Sequence, residues 1–316
     1  MQTKFTDAFD LIYPIALAPM GAVSGGALAA AVSNAGALGL IGGGYGDSAW
    51  LKRELDIVAT KARGRWGVGL ITWHACVDAV KLALSYKPQA FFLSFGDPSP
   101  YVDLIKAQGC MLICQVQDLT AARTAKAVGA DFVVAQGAEA GGHGATRGTL
   151  PLVPAVIDCV HPTPVLAAGG IADGRGLAAA LALGAQGAVI GTRYCATPEA
   201  LVNPKAVDRL LRATGDDTVR TRVFDIGRGY DWPKGFTGRA LRNRFSAQWH
   251  GKEDALASDA SAISTYQRAA QDANFDIALV WGGEAVDLIS AVEPAGPLTE
   301  RIGRDAEARL RRLAQR

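Results

Sequence analysis

Eight short, continuous apolar runs recur along the chain at nearly even intervals, and this rhythm constrains the fold more than any other feature. They are "PIALA" (14–18), "LGLI" (38–41), "WGVGL" (66–70), "AFFLS" (90–94), "MLICQ" (111–115), "DFVVA" (131–135), "PVLAA" (164–168) and "GAVIG" (187–191). Apolar runs without alternation suit strands buried on both faces, as in a parallel sheet. Between them lie helix-like stretches at 25–36, 48–62, 77–86, 99–109, 118–130, 152–160 and 174–185. Several end in Gly-Ala, as expected where a glycine caps a helix before the next strand. In "QDLTAARTAKAVGADFVV" either Asp118 or Thr120 is the expected N-cap. Eight strands alternating with seven helices predict an α/β fold, a (β/α)8 TIM barrel, ahead of an open doubly wound sheet.

The rhythm stops after the eighth run. Residues 1–197 read as the barrel, and 198–280, charged and polar, as a smaller, mostly helical subdomain over its mouth. Residues 281–316 read as a closing segment: "GGEAVDLISAV" (282–292) completes the ring of helices, and "RIGRDAEARLRRLAQR" is a surface helix. The aromatic and charged stretch 225–250 reads as a lid over the mouth, in preference to a homodimer contact.

Composition narrows the class. Apolar residues make up 49% of the chain and charged ones 20%, which suits a globular protein with a sizeable core. Lys and Arg number 32 against 30 Asp and Glu, so there is no basic footprint for nucleic acid. Five cysteines, at 76, 110, 114, 159 and 195, lack metal-ligand spacing and read as reduced thiols, with no metal site. The N-terminus lacks the basic and apolar blocks of a signal peptide, and no apolar run is long enough for a membrane span. A soluble, cytoplasmic protein is expected.

In a barrel of this kind the site forms where the strands end, in the βα loops. The loops after strands 7 and 8, "AAGGIADGRG" and "IGTRY", place Gly169, Gly170, Gly191 and Thr192 where strands meet helix N-termini. Bare backbone N–H groups in those two loops make an anion site, and a phosphate-bearing substrate or cofactor is expected there. No "GxxxxGK" loop occurs, and "GGGYG" lacks the downstream acid of a dinucleotide fingerprint. "APMGAVSGG" offers Met20 and bare backbone at Gly21-Ala22 to a flat ring, with Ser24 its one candidate for acid–base work.

The strand 6 loop, "AQGAEAGGHGATRG", carries His143 among glycines. Of the four histidines, His161 and His250 read as surface residues, His74 follows strand 3 and could line the pocket, and His143 stands at the mouth. Glycines around it let backbone pass close to a bulky ligand while one imidazole projects inward. Glu139, four residues earlier, either orients His143 or caps the loop backbone.

Taken together, "APMGAVSGGALAAAVSNAGALGLIGGG", "FLSFGDPSP", "AQGAEAGGHGATRGTLPLVPAV" and "LAAGGIADGRGLAAALALGAQGAVIGTRY" resemble the nitronate monooxygenase family, formerly 2-nitropropane dioxygenases. The resemblance implies a flavoprotein oxidoreductase holding FMN, with the phosphate in the strand 7 and 8 loops. It implies that Met20, Gly21 and Ala22 meet the isoalloxazine ring and that Gln115 and Gln136 contact flavin or ribityl polar atoms. Gly142, Gly169, Gly170, Gly191 and Thr192 would hold the ribityl phosphate region. His143 would be the catalytic residue, either deprotonating a neutral nitroalkane or holding the anionic nitronate. The implied reaction is oxidation of nitro or nitronate compounds by O2 to carbonyl compounds and nitrite.

Three departures stand out. Gly69 sits where many members have Asn, "VWGGEAV" replaces a Gln-Ser pair, and Gly-Ala-Thr-Arg-Gly follows His143. Two other functions share part of the pattern. An FMN-dependent, NADH-linked enoyl-acyl-carrier-protein reductase has a similar Gly-Gly-His loop. A flavin- or phosphate-binding barrel without catalysis would tolerate replacement of His143.

Overall fold

Each apolar run gives way within a residue or two to glycine, proline or polar residues, so none extends into a long strand. The computed structural model, which describes residues 1–315, folds the runs into eight parallel strands of three to six residues. These are β1 (Ile15–Leu17), β2 (Gly39–Gly42), β3 (Trp66–Ile71), β4 (Ala90–Ser94), β5 (Met111–Val116) and β6 (Phe132–Gln136). A short strand outside the barrel, β7 (Gly142–Gly144), precedes the last two, β8 (Val165–Ala168) and β9 (Ala188–Ile190). The order is β1-β9-β8-β6-β5-β4-β3-β2. Main-chain bonds from Leu17 to Leu38 (2.9 Å) and from Leu38 to Ile15 (3.0 Å) bring the two ends of that sheet together. The expected (β/α)8 TIM barrel is the observed fold.

Side chains of one parity fill the barrel: Leu40, Phe92, Ile113, Val134, Leu166 and Val189 pack together with every member under 5% exposed. The opposite parity packs outward under the helices, in a larger apolar layer that includes Leu17, Val68, Phe91, Leu112 and Val133. A helix that the strand rhythm does not announce, Lys4–Phe9, plugs the end where the strands begin. Thr3 and Thr6 form its capping box, Thr3 Oγ1 donates to Gln186 O, and Phe5 meets Phe132 edge-on. Burying one such phenylalanine contributes about 1.5–3 kcal/mol.

All seven expected helices are present, shorter than read by zero to three residues at most ends. Asp118, not Thr120, caps its helix, accepting from Ala121 N. The eighth helix differs. "GGEAVDLI" forms only a 3-10 turn, Glu284–Leu288, and the ring is completed by the charged tail, Ala295–Ala314, packed against Gly174–Ala182 and Gly26–Asn34. The reason lies in spacing: Leu298, Ile302 and Ala306 recur every four residues and are buried, while Arg301, Arg304 and Arg311 are exposed on the rest of the helix. Charge content concealed an amphipathic helix.

Between β9 and that helix the chain builds a mostly helical segment with two strands, β10 (Thr218–Thr221) and β11 (Thr237–Leu241). They pair antiparallel, and β11 pairs in turn with β7, setting Gly238 opposite His143. The glycine-histidine loop is therefore a strand of a second sheet. No helix among the described residues is long and apolar enough to cross a membrane.

Candidate active site

The strand ends converge on one cavity. Met20, Gly21, Gln115, Gln136, Gly142, His143, Gly169, Gly170, Gly191 and Thr192 all line it. Ala22 does not: its φ is 58° and it is exposed, so it turns the chain beside the cavity. His74 also lies outside, exposed, with Nδ1 at 3.0 Å from Tyr45 O. His161 and His250 are exposed, as expected. Ser24 is buried and bonded to Met20 N (2.7 Å) and Met20 O (3.2 Å), which fixes the β1 loop and leaves its hydroxyl no acid–base role. The five thiols are free, and burial pushes Cys110, Cys114 and Cys195 up to about 12.

The floor is bare backbone by necessity. Gly169 sits at φ 99°, and a Cβ there would come within 2.9 Å of Gly137 O and 3.2 Å of Ala140 N. Gly69, where an asparagine was the family expectation, is equally constrained, since a Cβ would lie 2.4 Å from the Pro19 ring. Thr192 Oγ1 accepts from Gly283 N at 3.0 Å, tying the β9 loop to the segment after Trp281. Glu139 accepts from Thr149 N (2.9 Å) and Thr149 Oγ1 (2.8 Å), so it caps the Thr149–Val160 helix and does not orient His143. Gln136 is largely committed: its Oε1 accepts from Gln115 and Gln117, and its Nε2 donates to His143 O at 3.1 Å.

His143 is 8% exposed, and its Nε2 lies 2.9 Å from both oxygens of Asp225, itself 2% exposed. The indole of Trp232 stacks on the imidazole, centroids 3.4 Å apart and planes 9° from parallel. Trp281 and Phe95 approach edge-on. Burial holds His143 below the ordinary histidine pKa of 6.5, and the Arg228 and Arg220 guanidinia push the same way against Asp225. A neutral ring facing an acceptor-only carboxylate carries its proton on Nε2, leaving the lone pair on Nδ1.

Two arginines hold the loop that delivers this ring. Arg220 donates to Ala138 O, Ala140 O and Thr237 O, and Arg239 to Ala138 O while pairing with Glu284 at 2.8 Å. Asp225, Arg228 and Trp232 escaped sequence reasoning. They lie 82 or more residues beyond His143, and the one local signal was the aromatic and charged density of "FDIGRGYDW" in the stretch read as a lid.

A (β/α)8 barrel with a bare-backbone floor and a buried histidine in the cavity at its C-terminal mouth has its candidate site where barrel enzymes carry their active sites. The family model for nitronate monooxygenase matches residues 2–71 and 51–305. A nitronate monooxygenase of Neurospora crassa is 31% identical over 94% of this chain and 89% of its own length. Among solved structures, FabK from Thermotoga maritima matches with a TM-score of 0.87 at 30% identity, covering 100% of this chain and 99% of that one. A nitroalkane oxidase from Streptomyces ansochromogenes matches with a TM-score of 0.82 at 27% identity, covering 98% and 99%. The chain belongs to the nitronate monooxygenase family and is a flavin-dependent oxidoreductase.

Proposed function

We propose that the chain is an FMN-dependent nitronate monooxygenase that oxidises alkyl nitronates, propionate 3-nitronate among them, and nitroalkanes with O2 to carbonyl compounds and nitrite. The observation that carries this reading is the buried His143–Asp225 pair at the edge of a glycine-floored cavity. The cavity fits FMN on three counts. Gly169, Gly170, Gly191 and Thr192 offer a phosphate cradle in which a Cβ at Gly169 would already collide with neighbouring backbone. Met20 and Gly21 offer a flat face to the ring, and Gln115 keeps an amide oxygen for polar atoms. FMN when bound supplies the electron acceptor of the oxidation.

The chain's own residues handle the proton. His143 Nδ1 takes the proton from the carbon bearing the nitro group, the C–H electron pair becomes the C=N bond, and a nitronate results. Asp225 favours this direction because its carboxylate stabilises the imidazolium that forms. The same carboxylate makes His143 a poor anion holder, so of its two roles we favour the base. Residues 198–280 act as the lid that excludes water from this step, and the enzyme acts in the cytoplasm.

The test is replacement of His143 by Asn. Nitrite formation from a neutral nitroalkane is expected to fall by about 10²-fold or more with the flavin retained. Unchanged turnover in a flavin-replete variant contradicts the assignment.

A further inference from the structure

The charges around His143 leave one cation without a structural duty. Arg228 ends the helix Val223–Arg228, where Gly229 in the left-handed region turns the chain. Its side chain lines the cavity and is 26% exposed. Among the described residues its one ion-pair partner is Asp225, at 3.7 Å, too long for a hydrogen bond. Both oxygens of that carboxylate are already within 2.9 Å of His143 Nε2. The other two guanidinia near the histidine, on Arg220 and Arg239, are occupied by carbonyls of the glycine loop.

The position of Arg228 is fixed by its rings. The guanidinium lies 4.6 Å over Tyr230, which stacks on Tyr45 at 4.2 Å, with Tyr45 and Trp281 themselves 6.0 and 5.9 Å from the charge. None of these rings takes a hydrogen bond from Arg228, so among the described residues its forked donors stay available for a planar anion. Tyr45, Phe95 and Trp281 line the cavity beside it as flat apolar surface.

We infer that Arg228 receives the anionic group of the substrate, and that the site selects a compact, planar anion such as a nitronate or carboxylate carried on a flat apolar body. The inference rests on the flavin reading above, in which this cavity is the substrate site. Proton transfer and anion recognition are thereby assigned to different residues: His143 with Asp225 for the first, Arg228 for the second.

The experiment titrates the flavin-replete enzyme with benzoate and with benzamide, its neutral isostere, following the flavin absorbance. Benzoate is expected to bind at least tenfold more tightly, and Arg228→Met to abolish that preference. Arg228→Lys should keep part of it, since a point charge replaces the fork. Equal affinity for the two probes in the unmodified enzyme overturns the inference, as does a benzoate preference surviving in Arg228→Met. An altered flavin spectrum in probe-free Arg228→Met, with the benzoate preference intact, overturns it too and assigns the arginine to the flavin. Inertness toward nitronates alongside an Arg228-dependent benzoate preference would refute the proposed reaction while leaving the anion site standing.

Discussion

At the scale of single residues, His143 is defined by what surrounds it. A glycine-rich context in the sequence announced an imidazole beside a bulky ligand, and its ring does line the cavity. The context said nothing of Asp225, because a partner 82 residues away has no local signature. Asp225→Asn keeps the shape and removes the charge. For a neutral nitroalkane we expect kcat/KM to fall by about 10²-fold or more, with a much smaller loss for preformed nitronate, which needs no proton removed. Equal losses for both substrates would reduce Asp225 to a structural role. The pH dependence follows from the same environment. Burial and two guanidinia hold His143 below 6.5, so the base form persists below that pH and the acid limb of kcat/KM should lie under it. Asp225 opposes the shift, so in Asp225→Asn the limb should move lower still. An acid limb above 6.5 in the unmodified enzyme would contradict this.

Among the elements, strands were more legible than helices, and barrel helices more than the last one. A buried parallel strand leaves a continuous apolar run that survives any loop sequence, and β4 was read with its observed bounds. The closing helix differs from the expected one because arginines mask the stripe of Leu298, Ile302 and Ala306 in the tail. Ile302→Ala, fully buried against the neighbouring helix, should cost about 2–4 kcal/mol in urea unfolding. A loss under about 0.5 kcal/mol, the range of surface substitutions, would return the tail to a surface role. The pairing of β7 with β11 was invisible for a different reason: three residues of glycine-histidine-glycine carry no strand pattern, and only tertiary pairing makes them one. Gly238→Ala probes that junction. A Cβ there would meet the Trp281 ring at 2.5 Å and displace a wall of the cavity, raising KM for the nitronate more than it lowers kcat.

Over the whole molecule, the barrel and its mouth were readable because periodicity fixes both the strand count and the end at which loops gather. The bare backbone after the last two barrel strands was legible in the glycines of "AAGGIADGRG" and "IGTRY", and Gly169, Gly170 and Gly191 do line the cavity. The placement of Asp225, Arg228 and Trp232 beside His143 was not legible, since it depends on how a non-repeating stretch folds back toward the mouth. Because the cavity at the barrel mouth forms only in the folded chain, removing the flavin should lower the melting temperature, and adding it back should restore it. Whether this cavity oxidises nitronates can be read by anaerobic mixing of the flavin-replete protein with propionate 3-nitronate and, separately, with NADH. Loss of the oxidised flavin absorbance on mixing with the nitronate alone is the result expected. Rapid bleaching by NADH with no response to the nitronate would contradict it.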